Sequence, residues 1–362
     1  MIYLGVALLA GFITVLFGGS YARKYLLSSG IYGVDQQKDG KPKVPTSGGV
    51  LVLFGFIISI TLFMGLVEFF HLTSVNVSLI LAALSSVNII ALIGLIDDIH
   101  MRSSEEFEEI KTPTDRIWSK VTSFLGDEEE KVTEDMERVG LSQLPKMLFV
   151  LPAALPLIAV GAGSWTMYIP IIGTVNWGII YPLVLLPLGL LFVSNVVNML
   201  AGTNGLSAGI SMMAGLGLGT YALLNGKTEA ALIALSLSVC MLAFMRYNFY
   251  PASLLPGDSL TYLAGAALFA SMVIGNMEKF GVFVFAPYFL EFFLKARSGF
   301  QAHSWGVLQS DGRLKPQHDR VYSLTHPLMR KGFSEKEITL ILVGLEAVVV
   351  GVSLLIFQMG LV

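Results

Sequence analysis

A single cysteine, Cys240, in 362 residues leaves no disulfide framework and no thiolate metal centre to build on. Charge is scarce as well. Asp, Glu, Lys and Arg make up 14% of the chain, against about 25% in a soluble domain, while 54% of the residues are hydrophobic. So few charges cannot cover the surface of a water-soluble enzyme of this length. The composition fits a polytopic helical membrane protein instead. A net charge of −3 gives no reason to expect a nucleic-acid partner. The first apolar run is not expected to be a secretory leader either. Met1 to Gly19 has no basic residue ahead of it and is followed by Arg23 and Lys24, the reverse of a signal peptide's charge order. It predicts a first spanning helix with its N-terminus outside. No internal repeat or low-complexity segment stands out.

What the chain does have is long apolar runs. Taking about 20 residues to a span, they fall at about 1–20, 46–70, 75–96, 144–163, 178–195, 204–224, 228–246, 258–275, 279–295 and 337–358. The expected class is therefore all-α, a single integral membrane domain over 1–362 with about ten transmembrane helices. Prolines 152 and 156 interrupt the fourth run and Pro287 the ninth. Alternating sides gathers the segments around 20–45, 97–143, 195–204, 246–258 and 295–336 at one face. Of the 23 Lys and Arg residues, only Lys227 and Lys279 fall on the other. The positive-inside rule makes the charged face cytoplasmic and puts both termini outside.

The charged segments differ in character. Residues 20–45 end in a proline-stiffened, extended approach to the second span. The insertion at about 102–143 carries the acid run Asp127 to Glu130 and reads as a solvated helical element. The loop at about 295–336 contains Asp311-Gly312, a hairpin signal. It ends in Ser334-x-x-Glu337, a capping box that opens the last helix.

Polar groups at spanning depth are costly and point to function. Asp97 and Asp98 end the third run, where the helix C-terminus disfavours an anion by about 0.3–1 kcal/mol, so a compensating positive partner is expected. Asn195 and Asn198 are three apart and share a helix face. Asn204-Gly205 is a tight-turn pair. Asp258 opens the eighth run, as an N-cap or beside an anion held by the helix N-terminus. By topology all of these meet at the cytoplasmic rim. Hard oxygen ligands of this kind suit Mg²⁺, or Mn²⁺, rather than zinc. Acids, a divalent ion and basic loops are the equipment of phosphoryl transfer, and the membrane setting makes one substrate a lipid phosphate.

Four motifs in order resemble the polyprenyl-phosphate N-acetylhexosamine-1-phosphate transferases (glycosyltransferase family 4). These are G-V-D-x-x-K…P at Gly33 to Pro45, G-L-I-D-D at Gly94 to Asp98, N-x-x-N-x-x-A-G-x-N-G-L at Asn195 to Leu206, and G-D-S-L-T-Y-L-A-G at Gly257 to Gly265. Within that family the chain is most similar to the eukaryotic and archaeal enzymes that use UDP-GlcNAc and dolichyl phosphate. The resemblance implies transfer of GlcNAc-1-phosphate to the dolichyl or another polyprenyl phosphate with release of UMP, Mg²⁺ as cofactor, and the first step of lipid-linked oligosaccharide assembly. It implies Asn198 and Asp258 at the metal, and Asp97 and Asp98 as the essential acidic pair near the lipid phosphate. It places Lys146 on the diphosphate and Gly202 and Asn204 at the uracil. Asn195, Lys38, His303 and Arg297 are then further substrate-binding candidates. It sets the protein in an archaeal cell membrane or the ER membrane, with the lipid bilayer as surroundings and a homodimer as an allowed assembly.

Departures narrow the resemblance. Ala201-Gly202 stands where bacterial relatives show D-G, and the bacterial histidine cluster is not seen, which argues against a phospho-MurNAc-pentapeptide translocase. Gln301-Ala302-His303 stands in place of the family's R-H-R cluster, so other UDP-N-acetylhexosamines stay open as donors. His100, His318 and His326 read as solvated or structural. For the reaction, direct in-line attack by the lipid phosphate is preferred to a two-step route through an aspartyl intermediate. Two other classes stay in view: a nucleotide-sugar transporter, which would hold its polar groups near mid-membrane, and a scaffold, which would need none of the four rim residues.

Overall fold

The computed structural model describes residues 1–71, 75–99, 150–169 and 173–361. Lys146, His100 and the acidic insertion at about 102–143 lie outside the described residues.

The chain is built on apolar helices, as its composition requires. Eight are long and apolar enough to cross a membrane among the described residues. In order they are α1 (Ile2–Ser28), α2 (Gly49–Phe69), α3 (Val77–Ile99), the Tyr181–Met199 span, and, after a short loop at 200–205, α6 (Leu206–Leu224). There follow α7 (Thr228–Asn248), α8 (Gly257–Ile274) and α12 (Glu335–Gln358). The fifth expected span begins as a wide turn, Tyr181–Leu185, and continues as α5, Leu186–Met199.

Two expected spans are not continuous helices. The described part of the fourth is a tight turn, Leu151–Ala154, followed by the short α4, Leu155–Ala159. Each piece carries its proline in the first turn, the one helical position where a missing N–H is harmless. The ninth is two helices, α9 (Glu278–Val284) and α10 (Ala286–Ala296), parted at Phe285. Pro287 cannot donate into the preceding turn and disfavours a helical residue before it, so a new helix starts there. After α10 come a loop and the short α11, Thr325–Arg330.

Three small antiparallel hairpins interrupt the helices. β1 (Tyr32–Val34) pairs with β2 (Lys43–Pro45) in the stretch expected to be merely extended. β3 (Thr166–Ile169) pairs with β4 (Gly173–Asn176). β5 (Gly306–Leu308) pairs with β6 (Leu314–Pro316), and the expected Asp311-Gly312 turn joins them, with Gly312 at φ +79°. The capping box of α12 also forms: Ser334 and Glu337 exchange their backbone and side-chain bonds.

One helix sits at the centre. The α8 window is 83% buried, against 28% for α1 and 22% for α12. Small residues (Ala264, Gly265, Ala266, Ala267, Ala270 and Ser271) let neighbours approach closely along it. α2, α3, α5, α6 and α7 all pack on α8. The outer faces of α1 and α12 carry exposed Leu, Ile, Val and Phe, as lipid-facing surfaces do. The protein is an integral membrane protein, and α8, with Asp258 half-buried in its first turn, is the most enclosed of its long helices.

Candidate functional site

The acidic end of α3 meets the first turn of α8. Asp98, 7% exposed, accepts from the Asp258 N–H through Oδ1 at 2.7 Å and from the Ser259 N–H through Oδ2 at 3.2 Å. It is thus the cap of α8, delivered from another helix. Asp258 stands in the first helical turn, so the capping reading of Asp258 gives way to a capping Asp98. The positive partner expected for the α3 carboxylates is, for Asp98, the α8 N-terminus. Gly257 makes the approach feasible. Its φ is +69°, and a Cβ there would lie 2.3 Å from Asp98 Oδ2. Asp97, also 7% exposed, lies beside it.

α5 brings the asparagines to the same end. Gly265 of α8 lies against the Ser194 backbone, 2.5 Å from its Cα if a Cβ is added. The two helices run in opposite senses, because Ser194 meets Gly265 while the earlier Gly189 meets the later Phe269. One turn beyond Ser194 is Asn198, and one to two turns before Gly265 are Thr261 and Asp258. Helical spacing therefore sets Asn198 and Asp258 near one level. Asn195 is half-buried, and its Nδ2 donates to its own helix at Leu191 O, 2.8 Å.

Beyond α5 the chain makes the expected turn, with Gly205 at φ +81° and Leu206 N bonded to Thr203 O at 3.1 Å. Asn204 is 6% exposed and tied on several sides. Its Nδ2 donates to Asp35 Oδ2 at 2.8 Å, its N–H to Glu335 Oε1 at 2.7 Å, and its carbonyl accepts from Thr339 Oγ1 at 2.9 Å. Lys38 completes the group. Its Nζ pairs with Glu335 Oε2 and with Asp35 Oδ2 (3.3 Å), and it sits 4.5 Å from the Tyr250 ring centroid. Two carboxylates and a ring thus engage the Lys38 cation. Gln37 ties the same hairpin to Gly202, its Nε2 donating to the Gly202 carbonyl at 2.6 Å.

The 295–336 loop closes over this turn. A Cβ on Gly202 would meet Ser304 Cβ and O at 2.7 Å, so the two loops touch backbone to backbone. His303 is exposed, its ring centroid 5.0 Å from that of Trp305, and Arg297 is exposed at the end of α10. His326 is fully buried, in keeping with a structural reading. Its Nδ1 accepts from Tyr322 N (3.3 Å), so Nε2 carries the hydrogen given to His303 O (2.9 Å). Burial holds this imidazole below its usual pKa.

The described site residues named from sequence are thus gathered at one end of the bundle, at two linked centres. One is the α3–α8 junction facing Asn198. The other is the Asn204 turn under the His303 loop. Sequence reasoning passed over Asp35, Gln37 and Glu335, although Asp35 lies inside a quoted motif. It also passed over Glu291, whose signal was available as the one acid inside the ninth apolar run, 279–295. Among the described residues, no three His, Cys, Asp or Glu side chains cluster as a ready-made metal cage.

The model of the family described as glycosyl transferase family 4 matches residues 78–276. That range covers the α3–α8 junction and the asparagine turn. A protein of Sulfolobus acidocaldarius, provisionally named a UDP-N-acetylglucosamine–dolichyl-phosphate N-acetylglucosaminephosphotransferase, is 30% identical over 361 residues, 98% of this chain and 95% of its own. One of Saccharolobus solfataricus with the same provisional name is 32% identical over 349 residues, 95% and 92%. A phospho-N-acetylmuramoyl-pentapeptide-transferase of Prochlorococcus marinus is 31% identical over 150 residues, 39% of this chain and 42% of that one.

Proposed function

The chain belongs to glycosyl transferase family 4, and from that premise we propose that it transfers GlcNAc-1-phosphate from UDP-GlcNAc to dolichyl phosphate, releasing UMP. The observation that carries the reading is the α8 N-terminus. Capped by Asp98 and bearing Asp258 in its first turn, it faces the asparagine end of α5 at the end of the bundle where the basic loops gather.

The residues divide the work. At the Asn204 turn, Asp35 takes the Nδ2 hydrogen and so fixes the amide's orientation. Oδ1 is then the acceptor that the imide N–H of uracil requires, with the Gly202 backbone beside it. Both Asp98 oxygens face amides, so its part is to hold the first turn of α8. The place beside the lipid phosphate goes to Asp97, which acts on that phosphate's protonation or orientation. Lys146 and Arg297 are the cations for the diphosphate, and the His303 loop takes the sugar. The acceptor phosphate is already anionic at pH 7 and attacks the β-phosphorus in line; the bond to the UMP oxygen breaks, and UMP leaves.

The donor set fits Mg²⁺, which commonly takes one or two protein oxygens and completes its shell with water and phosphate. Asp258 and the Asn198 amide would hold it, Asp98 being committed to the α8 amides. Such an ion neutralises diphosphate charge as the leaving group departs. The active site would face the cytoplasm, in an archaeal or ER membrane, serving lipid-linked oligosaccharide assembly. A transporter is less well supported, because the polar groups collect at one rim rather than in broken helices at mid-depth.

The test is UMP release by purified protein given dolichyl phosphate and a panel of UDP-sugars. UDP-GlcNAc should be the preferred donor, and Asp258→Ala should abolish transfer. Turnover by the wild type stripped of Mg²⁺ and Mn²⁺ would refute the metal assignment, and a trapped phosphosugar–aspartyl enzyme would refute direct attack.

A further inference from the structure

Residues 302–306 have little regular structure before β5 begins, yet nearly every peptide in them is fixed from outside. The Ala302 carbonyl accepts from Lys295 Nζ, the His303 carbonyl from His326 Nε2 at 2.9 Å, and the Ser304 carbonyl from Thr325 Oγ1 at 2.5 Å. The Gly306 N–H donates to Gln37 Oε1 at 3.0 Å. A loop pinned at this density is a frame for its side chains.

One residue underlies the frame. Glu291, on α10, has no solvent exposure. Its Oε1 accepts from Ser304 Oγ at 3.2 Å, and its Oε2 from Ser323 Oγ at 3.2 Å and Leu324 N at 2.7 Å. Lys295, one turn on, is the nearby cation. So Glu291 joins the two strands of the loop, at 304 and at 323–324, to a helix. On its far side Ser304 rests directly on Gly202, and Gln37 bridges Gly202 O to Gly306 N. Glu291, Ser304 and Gly202 form a short chain of contacts from α10 to the Asn204 turn. The rings of His303 and Trp305 flank Ser304 on either side in sequence.

We propose that Glu291 is a positioning residue for donor selectivity. It sets the His303–Trp305 segment in register with the Gly202–Asn204 turn, so that the sugar and the base of one nucleotide sugar are read by a single rigid frame. Touching no substrate itself, it acts through Ser304. The inference rests on the donor reading above, and goes beyond it by naming what aligns the two halves of the donor site. An apolar residue at 291 would fill space equally well, but could not hold three donors from two loop strands at once.

Equilibrium binding on the full chain in detergent or lipid discs tests this, with UDP, UDP-GlcNAc and UDP-glucose as ligands. The variants are Glu291→Gln and Ser304→Ala; the second cuts the link without altering charge. Both should keep wild-type UDP affinity while the preference for UDP-GlcNAc over UDP-glucose falls about fivefold, as expected for loss of one well-placed hydrogen bond. Wild-type preference in both variants would overturn the proposal. So would equal weakening of all three ligands, the mark of a merely structural role. If Glu291→Gln does not fold, Ser304→Ala decides. A wild type that binds UDP-GlcNAc no better than UDP-glucose defeats the donor reading itself, a result distinct from any variant's.

Discussion

Glu291 and Glu346 are both glutamates with no solvent exposure, and the bundle treats them in opposite ways. Glu291, near the charged end, receives three hydrogen bonds and has Lys295 one turn away. Glu346 lies within α12, between Val343 and Val350, which rest on Gly209 and Gly217 of α6. It therefore faces the middle of α6. Among the described residues neither of its carboxyl oxygens has a hydrogen-bond partner, and the nearby Tyr288 hydroxyl is bonded to Ser211 Oγ instead, at 3.3 Å. A buried acid can thus be a joint or an isolated guest. Only the joint has dependants: removing it strands donors, whereas removing the guest strands nothing.

The largest effect should come from the joint. Glu291→Ala takes the acceptor from the Ser323 hydroxyl and the Leu324 N–H, leaves Ser304 Oγ only the Met199 carbonyl at 3.4 Å, and removes the anion near Lys295. It should cost about 3–5 kcal/mol in denaturant unfolding. A cost under about 1 kcal/mol would erase the contrast. Asp98 extends the comparison to a second saturated acid. Asp98→Ala uncaps α8 and should cost about 1–2 kcal/mol, with transfer falling further than stability because Asp258 rides on the freed turn. Next comes His326, whose two nitrogens are both partnered in its neutral form. Burial lowers its folded pKa, so the unfolded chain takes up the proton first. That contribution to stability is whole above the unfolded value of about 6.5 and is lost as pH falls toward the folded value. Unfolding measured along a pH series should show the slope, and His326→Gln should flatten it. Smallest is the guest: Glu346→Leu should leave stability within about 1 kcal/mol of wild type, or raise it. A large loss there would mean that Glu346 has dependants after all.

Much of this was readable before any coordinates. Apolar runs mark the eight long helices, Ser334 and Glu337 mark the start of α12, and Asn204-Gly205 and Asp311-Gly312 mark real turns, because each signal acts within a few residues. The missed features are those made at a distance. Nothing local tells that Asp98 caps a helix 160 positions away, and an N-cap sought next to Asp258 finds only Asp258 itself. Glu335 was hidden inside a correctly read capping box, since the box explains residues 334 and 337 and leaves 335 looking like ordinary helix surface. Lys38 stood as a substrate-binding candidate, and only folding shows two carboxylates already on it. The β1–β2 and β3–β4 hairpins escaped because three- and four-residue strands carry too little alternation to register.

The insulation of α8 has a consequence for how this protein lives in its bilayer. Lipid chains press on α1 and α12, while five helices stand between most of that pressure and the helix bearing Asp258. A thicker or thinner membrane is met by tilting and bending at the periphery. The centre is in effect suspended within a protein sleeve, so its geometry is set by side-chain packing rather than by the lipid. The same catalytic arrangement can therefore work in membranes of quite different thickness.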